Sequence, residues 1–286
     1  MKLFLFLVTC CLAFNAHGVN PEPTKSGSYD IGGVRQYLEC YENEHPTLIL
    51  EQGFGRSGSD GVWLPNIVEL LGDFSICLYD RHGLGKSEQG PVPVTVNDLA
   101  IQLHRLLAAA NVEPPYYFAG GSYASNIITA FNNLYEKEVL GAVFIDPSPF
   151  GYFHTMGTRW PDDFETQDQQ LKRYYEFEQS VHEPLFARAP EKIDHMNSYE
   201  QLRNAQNFGD KPVLVLRAKP SLERYDPPFV PESVAEKMDL LFENADEKFL
   251  QLSANAQVIY SDSDKHHLHI ADRELVVETI KKLIQQ

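Results

Sequence analysis

A serine hydroxyl is a poor nucleophile until a base takes its proton. The stretch Gly120-Gly-Ser-Tyr-Ala124 offers a serine where that could happen. It lies between the apolar run "PYYFA" and an amphipathic stretch beginning at Tyr123. A strand, a tight turn and a helix, with small residues two before and two after the serine, make a nucleophile elbow. The turn strains Ser122 and exposes its Oγ. Larger side chains at 120 and 124 would clash, and the helix N-terminus aims free N–H groups at the site. Taken alone, the stretch reads equally well as an ordinary glycine-rich turn. The chain also holds an acid and bases in the order Ser…Asp…His. Asp146 ends "LGAVFID", and His266, His267 and His269 follow in "DKHHLHIAD", expected to be a loop. The histidine would accept the serine proton while the acid fixes its tautomer and stabilises the imidazolium. Asp146 could equally be a capping carboxylate at a strand end. Three histidines near Asp262 and Asp264 could instead hold zinc, but a turn gives no fixed ligand spacing. We expect no metal and no cofactor.

A second stretch points to other chemistry. Asp80-Arg-His-Gly-Leu-Gly-Lys-Ser87 ends like a nucleotide-binding P-loop. That loop needs a glycine five residues before Gly85, and Asp80 stands there instead. A carboxylate repels phosphate, and Gly90, Pro91 and Pro93 break the helix that should follow. Nucleotide binding is therefore not expected.

The elements that would hold these residues alternate strand and helix, the pattern of a parallel α/β sheet. "SYDIG" and "VRQYLECY" read as early strands. "TLILEQG" and "FSICLYD" read as buried strands, "PYYFAGG" as a short apolar one, and "LGAVFIDPS", "KPVLVLRA" and "AQVIYSD" as further strands. Helical periodicity marks "VNDLAIQLHRLLAAANV", "YASNIITAFNNLYEKEV", "PESVAEKMDLLFENA" and "RELVVETIKKLIQQ". From Pro147 to about 211 the alternation stops in an aromatic, polar, helical stretch, as an inserted cap would read; ordinary surface helices are the plainer alternative. Its aromatics from Phe150 to Phe177 could line an acyl pocket or form the cap's own core.

Several segments together resemble the α/β-hydrolase fold superfamily, and more narrowly hydrolases carrying YDRxGxGxS, GHSYGG, VDPSH and GHYIH. The matching stretches are "LILEQGFG", "LYDRHGLGKSE", "YYFAGGSYAS", "LGAVFIDPSP" and "DKHHLHIADRELVVETI", so the resemblance runs from about Tyr29 to Ile284. It implies a mostly parallel central sheet flanked by helices, with a helical cap inserted after the sixth strand. It makes "YDRHGLGKS" the loop after the fourth strand. It implies Ser122 as nucleophile and His266 as base, with Lys265 where the pattern has glycine, His267 as second choice and His269 in support. The loop after "PVLVLRA" lacks the Gly-x-x-Asp of many relatives, so the acid is assigned to Asp146, with Glu223 and Asp226 as alternatives. Backbone N–H groups of Phe54 and Tyr123 would form the oxyanion hole, although Gln52 replaces a histidine and Glu51 puts a carboxylate nearby. The second and fourth strands would be neighbours, so Cys40 and Cys77 either bridge or stay as two buried thiols.

The chain has 286 residues, with 40 acidic and 24 basic side chains and a net charge of −16. An acidic surface repels nucleic acid and anionic membranes. Residues 1–18, Met-Lys followed by "LFLFLVTCCLAF" and small residues at Ala16 and Gly18, read as a signal peptide. Residues 19–286 would then form one secreted or periplasmic domain, free of the membrane. The expected activity is a serine hydrolase acting through an acyl-enzyme on small or medium carboxylic esters or other acyl substrates. A catalytically silent binding protein on the same fold and an acyltransferase are the alternatives.

Overall fold

In a computed structural model of the protein, the structure describes residues 21–181, 191–205, 207–220 and 230–285. Residues 1–18, expected above to be a signal peptide, and the two alternative acids, Glu223 and Asp226, lie outside them.

One sheet of eight strands organises the chain: β1 (Lys25–Asp30), β2 (Arg35–Tyr41), β3 (Thr47–Glu51), β4 (Ser75–Tyr79), β5 (Tyr116–Gly121), β6 (Val139–Ile145), β7 (Val213–Arg217) and β8 (Ala256–Tyr260). The spatial order is β1-β2-β4-β3-β5-β6-β7-β8. β2 runs antiparallel to both β1 and β4, and every other pairing is parallel. β3, β4 and β7 are buried almost along their whole length because helices cover both faces. Cys40 pairs with Cys77 in the β2–β4 register, and the two form a disulfide.

On one face, α2 (Val96–Ala109) and α3 (Ala124–Leu134) bury Leu99, Leu103, Leu106, Ile127, Ile128 and Phe131 against the sheet. A capping box starts α2: Asp98 N–H donates to Thr95 Oγ1, and Thr95 N–H donates to Asp98. On the other face, α1 (Leu64–Leu70) and α9 (Arg273–Lys281) bury Ile67, Leu70, Val276 and Ile280.

Between β6 and β7 the described chain forms α4 (Gln169–Ser180) and α5 (His195–Arg203) and no strand. After β7 come α6 (Glu232–Glu243), where the sequence periodicity predicts a helix, and the six-residue α7 (Ala245–Leu250), which it does not mark. The break is at Asn244, whose side-chain amide donates back to the Leu240 carbonyl and so ends the first helix. A short α8 (Leu268–Ala271) precedes α9. This corrects the expectation of a loop through His269, which lies inside α8. Among the described residues, no helix is long and apolar enough to cross a membrane.

Candidate active site

In parallel strands every C-terminal end emerges on one side of the sheet, and α/β proteins use that rim for ligands. Here the rim carries Gln52–Phe54 after β3, Ser122 after β5, Asp146 after β6, Ala218 after β7 and His266 after β8. Gly53, Phe54, Ser122, Asp146 and His266 line one cavity of about 520 Å³.

Ser122 has φ 57°, a left-handed conformation that non-glycine residues seldom adopt. Its surroundings hold it there: Ser122 N–H donates to the Ile145 carbonyl at 3.1 Å, and Ser125 Oγ and Ser148 N–H donate to the Ser122 carbonyl. The small neighbours have a visible reason. A Cβ on Gly120 would lie 2.5 Å from Ala124 Cβ and 2.6 Å from the Glu51 carbonyl. The methyl group of Ala124 fits because Gly120 has none.

Asp146 is the second left-handed residue on the rim, with φ 42°. Its two carboxylate oxygens are divided. Oδ1 accepts from Ala218 N–H at 3.0 Å, and Oδ2 accepts from His266 Nδ1–H at 2.6 Å. With Nδ1 committed, Nε2 is the ring nitrogen left to accept a proton. The buried Arg217 guanidinium places Nε 3.9 Å from Asp146 Oδ1 and pairs with Asp246. Among the described residues, Ser122 Oγ hydrogen-bonds Ser148 Oγ at 3.3 Å and not His266.

His267 lines the same cavity as Asp146, but the hydrogen bond to that carboxylate comes from His266. His269 stacks on Trp63, with ring centroids 4.7 Å apart, and burial holds its imidazole down to about 4. Burial, then the neighbouring His266, lowers His267. Among the described residues, no three His, Cys, Asp or Glu side chains gather to hold a metal ion.

The Asp80–Ser87 loop turns its amides inward instead of toward a phosphate. Asp80 is buried and accepts from Ser59 N–H, Ser59 Oγ and Lys86 N–H at 2.7–2.9 Å. Arg81 then reaches under the β3 loop. Its Nη1 donates to Gln52 O at 2.9 Å and to Glu51 Oε1 at 2.7 Å, and its Nη2 donates to Gly53 O at 2.7 Å. Glu51 therefore faces Arg81 and the Tyr79 hydroxyl, not the cavity. Burial pushes its carboxyl up, while Arg81, Tyr79 and the Gln52 N–H oppose that. Sequence reasoning missed Glu191, which pairs with the Arg81 guanidinium. A lone glutamate in "APEKID" carries no motif or periodicity that would mark it.

The aromatics after β6 divide. Tyr152, Phe153, Tyr174 and Phe177 line the cavity. Trp160, Phe164 and Tyr175 pack on one another. Tyr123 is buried, with its ring against Phe54 and Phe153.

Residues 46–198 match the family model described as alpha/beta hydrolase fold. The chain is 33% identical over 102 residues to the uncharacterized protein YqjL of Bacillus subtilis (strain 168), across 36% of this chain and 40% of that one. It thus spans less than half the length of that relative. Among solved structures it resembles Cfl2 from Burkholderia cenocepacia, with TM-score 0.60 and 15% identity over 90% of this chain and 94% of that one. It also resembles carboxylesterase CesB (YbfK) from Bacillus subtilis, with TM-score 0.56 and 15% identity over 93% of each chain. At these identities the structural likenesses speak to fold alone.

Proposed function

The chain belongs to the alpha/beta hydrolase fold family, and from that premise we propose that it is a serine hydrolase of small or medium carboxylic esters. The observation that carries the reading is the 2.6 Å contact between Asp146 and His266 Nδ1, on the wall of the cavity that also holds the strained Ser122. Ser122 Oγ attacks the substrate carbonyl as His266 Nε2 takes its proton. The Asp146 carboxylate keeps Nδ1 protonated and stabilises the imidazolium. The developing oxyanion rests against the N–H groups of Phe54 and Tyr123. His266 returns the proton to the leaving alcohol, and the acyl-enzyme forms. Water then attacks the acyl carbon, His266 again taking and returning a proton, and Ser122 is regenerated with release of the acid.

The stretch at 147–211 acts as a cap, and the apolar side chains that its described part brings to the cavity, Phe153, Met156 and Phe177 among them, favour an acyl chain over a charged group. An acyltransferase would use the same residues and differ only in admitting an alcohol in place of water. The segment 1–18 sends the protein to a secreted or periplasmic location.

The test is covalent labelling of residues 19–286 with a fluorophosphonate probe, beside Ser122→Ala. Labelling that disappears in the variant supports the nucleophile and opens an ester panel of varied acyl length. A folded wild type that does not label would turn the reading toward a binding protein, as the Ser122–Ser148 contact would then suggest.

A further inference from the structure

The loop after β3 is held from beneath and from above by different parts of the chain. Beneath it, Arg81 donates to the carbonyls of both Gln52 and Gly53. In a trans peptide the C=O and the next N–H point in opposite directions. Fixing the Gly53 carbonyl on Arg81 therefore turns the Phe54 N–H away from Arg81. Gly53 itself touches the nucleophile turn: a Cβ there would meet Gly121 O at 3.3 Å and Ser122 Cβ at 3.4 Å.

Arg81 does not hold the loop alone. Glu191, from the stretch between β6 and β7, accepts from Arg81 Nε through Oε1 at 2.6 Å and from Nη2 through Oε2 at 2.8 Å. Oε2 also accepts from Gly55 N–H, one residue past Phe54, at 2.5 Å. One buried carboxylate thus joins the guanidinium to the loop backbone. The same stretch packs on Phe54 from the other side, with Phe153 and His195 at ring-centroid distances of 5.3 and 5.6 Å.

We propose that Glu191 and Arg81 are positioning residues for the oxyanion loop, and that seating of the inserted stretch aims the Phe54 N–H. The inference rests on the serine-hydrolase reading. It adds that the insertion is needed to align an oxyanion donor as well as to enclose the substrate. Gln at 191 keeps the shape, but its amide can accept through only one atom. Either Gly55 N–H or an Arg81 N–H would then face an NH₂ group.

The experiment measures kcat and KM on p-nitrophenyl esters, together with fluorophosphonate labelling rate and thermal unfolding, for wild type and Glu191→Gln. Glu200→Gln serves as a control, since Glu200 pairs with Arg203 on the exposed face of the same insertion. The expected result for Glu191→Gln is a fall in kcat of about 10- to 100-fold with KM within about twofold, less than loss of a whole oxyanion donor. Glu200→Gln should match wild type. Arg81→Lys should lower kcat further, because one ammonium cannot span both carbonyls and both carboxylates. Should that variant not fold, Glu191→Gln decides. A folded Glu191→Gln with wild-type kcat, or one in which only KM changes, overturns the positioning role while the hydrolase reading stands. A wild type that neither labels nor turns over removes the hydrolase reading, and the positioning role with it.

Discussion

Replacing Gly120 by alanine puts a methyl group where the backbone leaves no room. The new Cβ would sit 2.5 Å from Ala124 Cβ and 2.6 Å from the carbonyl of Glu51, while ordinary contact begins at 3.4 Å. The obstacles are the first residue of α3 and the paired position on β3, so neither is a flexible side chain that can swing aside. Overpacking a tight interior costs about 1–3 kcal/mol. With two rigid obstacles we expect the upper end, about 3 kcal/mol. Relief requires α3 to shift away from β5, which moves Ser122. Urea unfolding of wild type, Gly120→Ala, Ala124→Gly and the double variant forms a cycle, with fluorophosphonate labelling as a second readout. Ala124→Gly removes one obstacle and leaves the Glu51 carbonyl. The double variant should thus recover about 1 kcal/mol of the loss, a coupling typical of touching residues. Labelling of Gly120→Ala should slow at least tenfold. Full stability and a wild-type labelling rate in Gly120→Ala would refute the steric account of the elbow.

Asp146→Asn tests the acid without disturbing the turn, because asparagine tolerates the left-handed backbone as aspartate does. One amide oxygen cannot serve both Ala218 N–H and His266 Nδ1–H, so kcat should fall about 10³–10⁴-fold while the protein stays folded; unchanged kcat would transfer the role to another acid. His269 makes a pH prediction. Its imidazole is held down to about 4 by burial, so between its ordinary 6.5 and about 4 the unfolded chain carries a proton that the folded chain does not. Stability should therefore fall as pH drops through that window, by about 2 kcal/mol between pH 7 and 5 from this group. Urea titrations at both pH values should lose that component in His269→Phe, and an equal pH dependence in both proteins would contradict it.

The sheet and the elbow are legible in the sequence because local signals repeat along it. Short apolar runs end at turn residues, and Gly120 and Ala124 bracket Ser122 as the observed packing requires. Other features leave no such repeated mark. The six-residue α7 after Asn244 is too short for a hydrophobic pattern to record. His269 looks like part of a polar loop, yet it occupies a helical turn because its ring has Trp63 to stack on. The left-handed backbone of Asp146 is likewise invisible, because it depends on where β7 lies: Asp146 N–H donates to the Leu216 carbonyl and its Oδ1 accepts from Ala218. Glu191 is the extreme case. Its partners are 110 and 136 positions earlier in the chain, and only folding brings them together.

That long-range carboxylate bears on how such a protein can be recombined. Segments inserted between strands of a sheet are often treated as exchangeable modules, to be swapped for a change of specificity. Here a swap that discards Glu191 would leave two bonds of a buried guanidinium and the Gly55 amide without an acceptor, in a place water reaches poorly. A donor segment chosen only for its pocket-lining residues would import a defect in the host sheet. A viable chimera must bring its own carboxylate to the same place, so the cut points of an exchange are set by Arg81 as much as by the ends of β6 and β7.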